Sequence, residues 1–193
     1  MNRKLLYAFL ITTVLFSAKQ GFTQVNTYLQ NNPVWHVGTS CSFSGPSCIQ
    51  NEDYNYYTNG DTVFHTLTYK KIYKKGKGSY SWMASPPIPP GCSGNYYYLG
   101  ANASYFIRSA GKSMFLRQPS DTSEYLLYDF NLAIGDTLPN SYNYNNAGGK
   151  KIQVTAIDSF HTPYGYRKRF AINGTGSGAQ YLIEGIGNSH GLV

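Results

Sequence analysis

The feature that most constrains this chain is a two-residue period. In "KIQVTAIDSF", Ile152, Val154, Ala156 and Asp158 alternate with Lys151, Gln153, Thr155 and Ile157. In "YRKRFAI", Tyr166, Lys168, Phe170 and Ile172 alternate with Arg167, Arg169 and Ala171. Successive side chains of a strand point to opposite faces, so such runs predict half-buried β-strands. Further strands are predicted in "DTVFHTLTYKKIY" (61–73), with Asn59-Gly60 before it as a tight turn, and in "EYLLYDF" and "AQYLIEGIG". "SYFIRSAGKSMFLRQ" (104–118) reads as a hairpin in which Gly111 supplies a positive φ. Helical periodicity is nearly absent beyond the N-terminus. Without βαβ alternation, a parallel α/β sheet is disfavoured.

Breakers separate these runs. "SPPIPPGCSG" (85–94) holds four prolines, which cannot donate to a ladder, so it is predicted as a surface loop. "NSYNYNNAGGK" (140–150) and "NGTGSGA" (173–179) are polar, glycine-rich loops. The expected fold class is all-β: an antiparallel curved sheet, barrel-like or sandwich, with long Pro/Gly/Asn-rich loops. A length of 193 residues suits one domain, and 41% apolar residues allow a sizeable core. Charged residues are 13% of the chain, about half the usual share, while 16% are aromatic, with 19 tyrosines. Long disorder would need the opposite balance.

The N-terminus predicts export. Arg3 and Lys4 precede an uncharged, mostly apolar stretch at 5–16, too short to span a bilayer but of signal-peptide length. Gly21-Phe22-Thr23 is a small-x-small cleavage site, with Ala18 as the alternative. The expected organisation is a signal peptide at 1–23 and one β-rich domain at 24–193, with no integral membrane segment after cleavage. The product is expected to be secreted or held at the cell surface. Removing the signal leaves 13 basic and 9 acidic residues, a net +4 rather than +7. Five lysines lie in "YKKIYKKGKG", where Lys70 and Lys74 interleave with Ile72 and its apolar neighbours. Such lysines are expected to guard an exposed strand against edge pairing, so nucleic acid is not an expected partner.

Export into an oxidising compartment predicts a disulfide. "CSFSGPSC" sets Cys41 and Cys48 around a Gly-Pro turn, so Cys41–Cys48 is the simplest pairing and Cys92 is left over. No ligand set at zinc spacing is present, and neither a metal nor another cofactor is expected.

No catalytic frame is evident. A G-x-S-x-G elbow is missing, and His36, His65, His161 and His190 are scattered. The carboxylates weighed as an acid/base pair are Glu124, Asp129, Asp136 and Glu184. Glu124 and Asp129 differ by an odd number, which predicts opposite faces of a strand. Asp136 follows Gly135 and precedes Thr137, which suits a side chain that fixes a turn. Glu184 ends a strand before Gly185-Ile186-Gly187, a segment lacking the rest of a phosphate-binding loop. Tyrosine is the remaining resource: Tyr54, Tyr56, Tyr57 and Tyr96-Tyr97-Tyr98, with Trp35 and Trp82, offer amphipathic area for a sugar or peptide unless they pack in the core.

The ordered segments "GDTVFHTLTYKKIY", "YYLGANASYFIR", "MFLR", "EYLLYDFNLAIGDTL", "IDSF…YRKRFAI" and "YLIEGIGNSHGLV" carry a resemblance. From Trp35 to Val193 the chain resembles a group of exported, largely uncharacterised proteins of Bacteroidetes-type bacteria, which often end in a C-terminal sorting domain for type IX secretion. The resemblance implies export and a β-rich architecture. It also implies a chain that continues past Val193, with a further cysteine that would serve Cys92. The expected function is that of a non-enzymatic module binding a glycan or a protein. The alternative is an extracellular hydrolase using Glu184, Asp129 and Asp136.

Overall fold

A computed structural model of the chain describes residues 28–30, 32–42, 47–144, 151–163, 165–173, 180–189 and 191–192. The expected signal segment, the Gly45-Pro46 turn, most of loop 173–179 and His190 lie outside these residues.

The fold is all-β: a curled antiparallel sheet forms a half-barrel, and a second, small sheet accompanies it. The first sheet runs β1 (Val34–Ser42), β2 (Cys48–Phe64), β3 (Leu67–Trp82), β4 (Gly94–Ala110), β5 (Ser113–Arg117) and β6 (Tyr125–Asp129), each paired with the next. The second contains β7 (Val154–Thr162), β8 (Gly165–Ile172), β9 (Gln180–Ile183) and β10 (Gly187–Asn188), in the order β10-β9-β8-β7. Within each sheet consecutive strands pair, so every connection between partners is a simple antiparallel reversal without a crossover.

The core lies between the sheets. Ile72, Ile107, Met114 and Leu116 from the first sheet meet Val154, Phe170, Ile172 and Leu182 from the second. Phe130 follows β6 and joins both sides, packing edge-on to Tyr28 and stacking with Phe170. Each fully buried aliphatic or aromatic side chain contributes about 1.5–3 kcal/mol relative to exposure.

The β4–β5 hairpin forms as expected, with Gly111 at φ 57° as the first residue of its two-residue turn. The β2–β3 hairpin differs from expectation. Asn59-Gly60 is no turn: the ladder shifts register between Thr58 and Asp61, and Gly60 at φ 75° sits in a bulge inside a seventeen-residue strand. The chain reverses at His65-Thr66, with both φ values positive (47° and 71°). Such paired positive φ values match the twist of a hairpin, although neither residue favours them.

Three other expectations are corrected. The lysine-rich segment is not an exposed edge, because β3 is the third strand of six. Its Lys70 pairs with Asp61 at 2.8 Å. The disulfide is Cys48–Cys92, with Cα atoms 5.7 Å apart, and not Cys41–Cys48; Cys41 is a free, exposed thiol. The reason is ladder register. Cys41 stands opposite Gln50, whereas Cys48 stands opposite Trp82, from which the proline-rich loop leads back to Cys92. Cys92 therefore has its partner within the described chain.

The third correction concerns parity along β6. Met114 faces Tyr128 while Phe115 faces Leu126, so Leu127 is an extra residue. That bulge returns Glu124 and Asp129 to one face rather than two.

Candidate functional site

The long strands β2, β3 and β4 continue the core face outward into a polar, tyrosine-lined strip. Register places Tyr56 opposite Lys74, then Tyr54, Gly76 and Tyr98 in one row and Glu52, Gly78 and Tyr96 in the next. Gln50 and Tyr80 follow. Because side chains alternate, all of these share the face that carries buried Trp35 and Val37 on β1. Tyr54 and Tyr56 are buried, whereas Gln50, Glu52, Tyr80, Tyr96 and Tyr98 are half-buried.

Two glycines give the strip its shape. A Cβ at Gly78 would lie 2.1 Å from the Tyr96 ring, and one at Gly76 would lie 2.5 Å from Cβ of Tyr54. Alternate glycines in β3 thus let tyrosines from both neighbouring strands lie across it. The resulting rings contact in sequence: Tyr56 with Tyr54, Tyr54 with Tyr98, Tyr98 with Tyr96, and Tyr96 with Tyr80, at centroid separations of 5.3, 5.6, 5.6 and 5.3 Å. Lys74 places its ammonium 3.7 Å from the Tyr54 ring centre and 3.6 Å from that of Tyr98. Cation–π attraction retains the charge there, while desolvation holds the Lys74 pKa below its ordinary value.

Glu52 is the chemical centre of the strip. Its Oε1 accepts from Tyr96 at 2.7 Å, from Gln50 at 3.3 Å and from the Tyr98 hydroxyl. Gln50 also donates to the Tyr96 oxygen at 2.6 Å. None of these bonds reaches Oε2. Burial acts to raise the Glu52 pKa, but the Tyr98 and Tyr96 hydroxyls and the Lys74 charge outweigh it, and the carboxyl is held below the ordinary range. The strip therefore presents an ionised acceptor oxygen beside a row of ring faces.

The residues singled out from sequence fare differently. Glu124 is bound through both oxygens, by Arg108 at 2.7 and 2.6 Å and by the Tyr69 hydroxyl at 2.6 Å. Asp129 accepts from Asn131 and from the Ser113 hydroxyl. Although these two carboxylates share a face, roughly 13 Å of strand separates them, beyond the ~5–9.5 Å of a glycosidase pair. Asp136 fixes its turn as expected, accepting from the Ala133 N–H at 2.8 Å. Glu184 is buried, accepts from the Tyr28 hydroxyl at 2.7 Å and lies 3.8 Å from Lys112. Asp129 borders a crevice of about 10 Å³, too small for a sugar ring.

A cleft of about 770 Å³ opens elsewhere, lined by residues that include Trp35, His161, Arg167 and Ile186. Among the described residues no group of three His, Cys, Asp or Glu side chains is placed to hold a metal ion. Of the aromatic residues, Trp35, Tyr54 and Tyr56 belong to the core, Tyr57 stacks on Tyr73, Trp82 donates to the Ser85 carbonyl, and Tyr97 is exposed on the opposite face. Sequence reading passed over Glu52, Gln50 and Gly78; the available signal was the alternate glycines of "KKGKG" between tyrosine-rich strands. The chain matches no known protein family, no curated protein and no solved structure.

Proposed function

We propose that this is an exported, non-enzymatic β-module that binds a glycan on the Tyr80–Tyr96–Tyr98 strip. The observation that carries the proposal is the half-buried Glu52, whose Oε1 takes three donors while Oε2 takes none of them. Sugars offer two complementary surfaces: C–H faces that pack on aromatic rings and hydroxyls that donate to a carboxylate. The strip supplies both on a scaffold whose rings are already in contact, so little ordering is required on binding. The Cys48–Cys92 bond beside its outer end is compatible with an extracellular location.

The test is isothermal titration with cello-, xylo- and mannohexaose. At least one is expected to bind the wild type, with binding lost in Tyr96→Ala and Glu52→Gln and retained in Glu124→Gln. Binding that survives Tyr96→Ala, or failure of all three sugars at millimolar concentration, would overturn the proposal.

A further inference from the structure

We infer that the outer edge of β1 is a self-association surface, on which a second copy of this chain adds its own β1 antiparallel across a two-fold axis. A terminal strand carries backbone N–H and C=O groups outside its ladder, and proteins guard such edges by shortening, bulging, charging or covering them. Four strands end the two sheets: β1, β6, β7 and β10. Three of them are guarded. β6 is five residues long and bulged at Leu127, and its Leu126 carbonyl accepts from the Tyr142 N–H at 2.8 Å. β7 carries Asp158 and shifts register between Val154 and Ala156, and backbone bonds tie its Val154 to Gly135 and Asp136. β10 has two residues.

β1 has none of these devices. Its nine residues, VWHVGTSCS, include no proline, lysine, arginine, aspartate or glutamate. Its register with β2 is unbroken from Val34 to Ser42, and no residue in it has a positive φ. Among the described residues no backbone hydrogen bond outside the β1–β2 ladder reaches it. A strand with core on one face buries alternate residues, as β1 does at Trp35 and Val37. From Gly38 to Ser42 every residue is exposed, so this half of the strand stands clear of the core on both faces.

Charge and closure identify the occupant. In a two-fold strand pair each residue meets a residue of the same strand, so a charge near the axis would confront its like. The stretch Gly38–Ser42 holds only Gly, Thr, Ser and Cys, and self-pairing sets no like charges opposite one another. Each copy brings one bare edge, so joining two leaves none, and the assembly closes as a dimer. The exposed stretch is centred on Ser40, which places the axis there. Ser40 then meets its own counterpart, while Thr39 meets Cys41 and Gly38 meets Ser42 of the other copy. Such an axis is normal to the sheet, so the faces carrying Glu52 and Tyr96 point to the same side in both copies. Strand spacing of about 4.8 Å sets the two β3 strands roughly 24 Å apart along the sheet. This geometry does not depend on what the tyrosine strip binds.

Five paired residues make a small contact, so reversible association at about 0.1–1 mM is expected. Sedimentation velocity in a Cys41→Ser background excludes covalent dimers. Its weight-average mass is expected to rise toward twice the monomer value between about 10 µM and about 1 mM. Adding Ser40→Lys or Ser40→Asp should each hold the protein monomeric, because each sets like charges on the axis, and an equimolar mixture of the two should dimerise again. Circular dichroism checks that both variants are folded. In the unmutated chain the two Cys41 residues are diagonal neighbours at roughly 7–8 Å, so a short bis-maleimide is expected to capture the dimer through them. Three results would overturn the inference: a monomer at about 1 mM in Cys41→Ser, undiminished association in Ser40→Lys, or no crosslink through Cys41. Tyr96→Ala is expected to leave the association unchanged, which keeps this test separate from the sugar titration.

Discussion

The molecule contains two clusters of nearly the same chemistry on opposite faces of one sheet. Each has a glutamate, a tyrosine hydroxyl and a cation against aromatic rings. Around Glu124 the cation is Arg108, which grips both carboxylate oxygens and lies 4.5 Å from the centre of the Phe115 ring. Around Glu52 the cation is Lys74, which makes no direct ion pair among the described residues and sits between two rings. The guanidinium fork saturates its partner, whereas the ammonium neutralises its own at a distance. The first cluster is closed on itself. The second retains an acceptor oxygen, which is why one reads as a structural clamp and the other as a binding face.

Substitutions should separate the two. The largest effect is expected from Arg108→Ala, which leaves Glu124 without its fork and should lower unfolding free energy by about 2 kcal/mol. Lys74→Ala should cost about 1 kcal/mol, the scale of a cation–π contact. Equal losses in urea denaturation would break the distinction.

A smaller difference is expected on removing single hydroxyls. Tyr69→Phe deletes a bond to the closed carboxylate and should cost about 1 kcal/mol. Tyr98→Phe leaves Glu52 Oε1 with Tyr96 and Gln50, so about 0.5 kcal/mol is expected. Thermal melts of the two variants would rank them.

The smallest effect lies in pH. Burial acts to raise both glutamate pKa values, but hydrogen bonds and neighbouring cations leave both below the ordinary 4.5. Each therefore contributes stability that is present above that value and fades as the pH falls through its lower folded one. Glu52→Gln and Glu124→Gln should each flatten the loss of stability on acidification, followed by circular dichroism. An unchanged acid profile in both variants would show that neither carboxylate is stabilised as described.

Local pattern made much of the scaffold legible. The alternation in "KIQVTAIDSF" and "YRKRFAI" became β7 and β8, and Gly111 turned its hairpin where expected. Errors gathered where one residue too many enters a strand. Asn59-Gly60 has the composition of a turn, yet it forms a bulge, because β3 continues to pair on both sides of it. Leu127 likewise reverses the parity that had separated Glu124 from Asp129. A bulge is a property of two strands, and a single strand's alternation carries no sign of it.

The candidate site was less legible for the same reason. Tyr96 and Tyr98 stood out in the sequence, but Glu52 gained its meaning only from register, which sets it beside Gly78 and Tyr96. Cysteine pairing was decided similarly, by the return of a proline-rich loop to Cys48 rather than by closeness in sequence. The sequence by itself determined an all-β chain rich in tyrosine and poor in charge, because period-two alternation and turn residues act over a few positions. Tertiary structure alone decided which carboxylate is closed and which is open. Those outcomes depend on contacts between residues tens of positions apart, where strand register sets the partners.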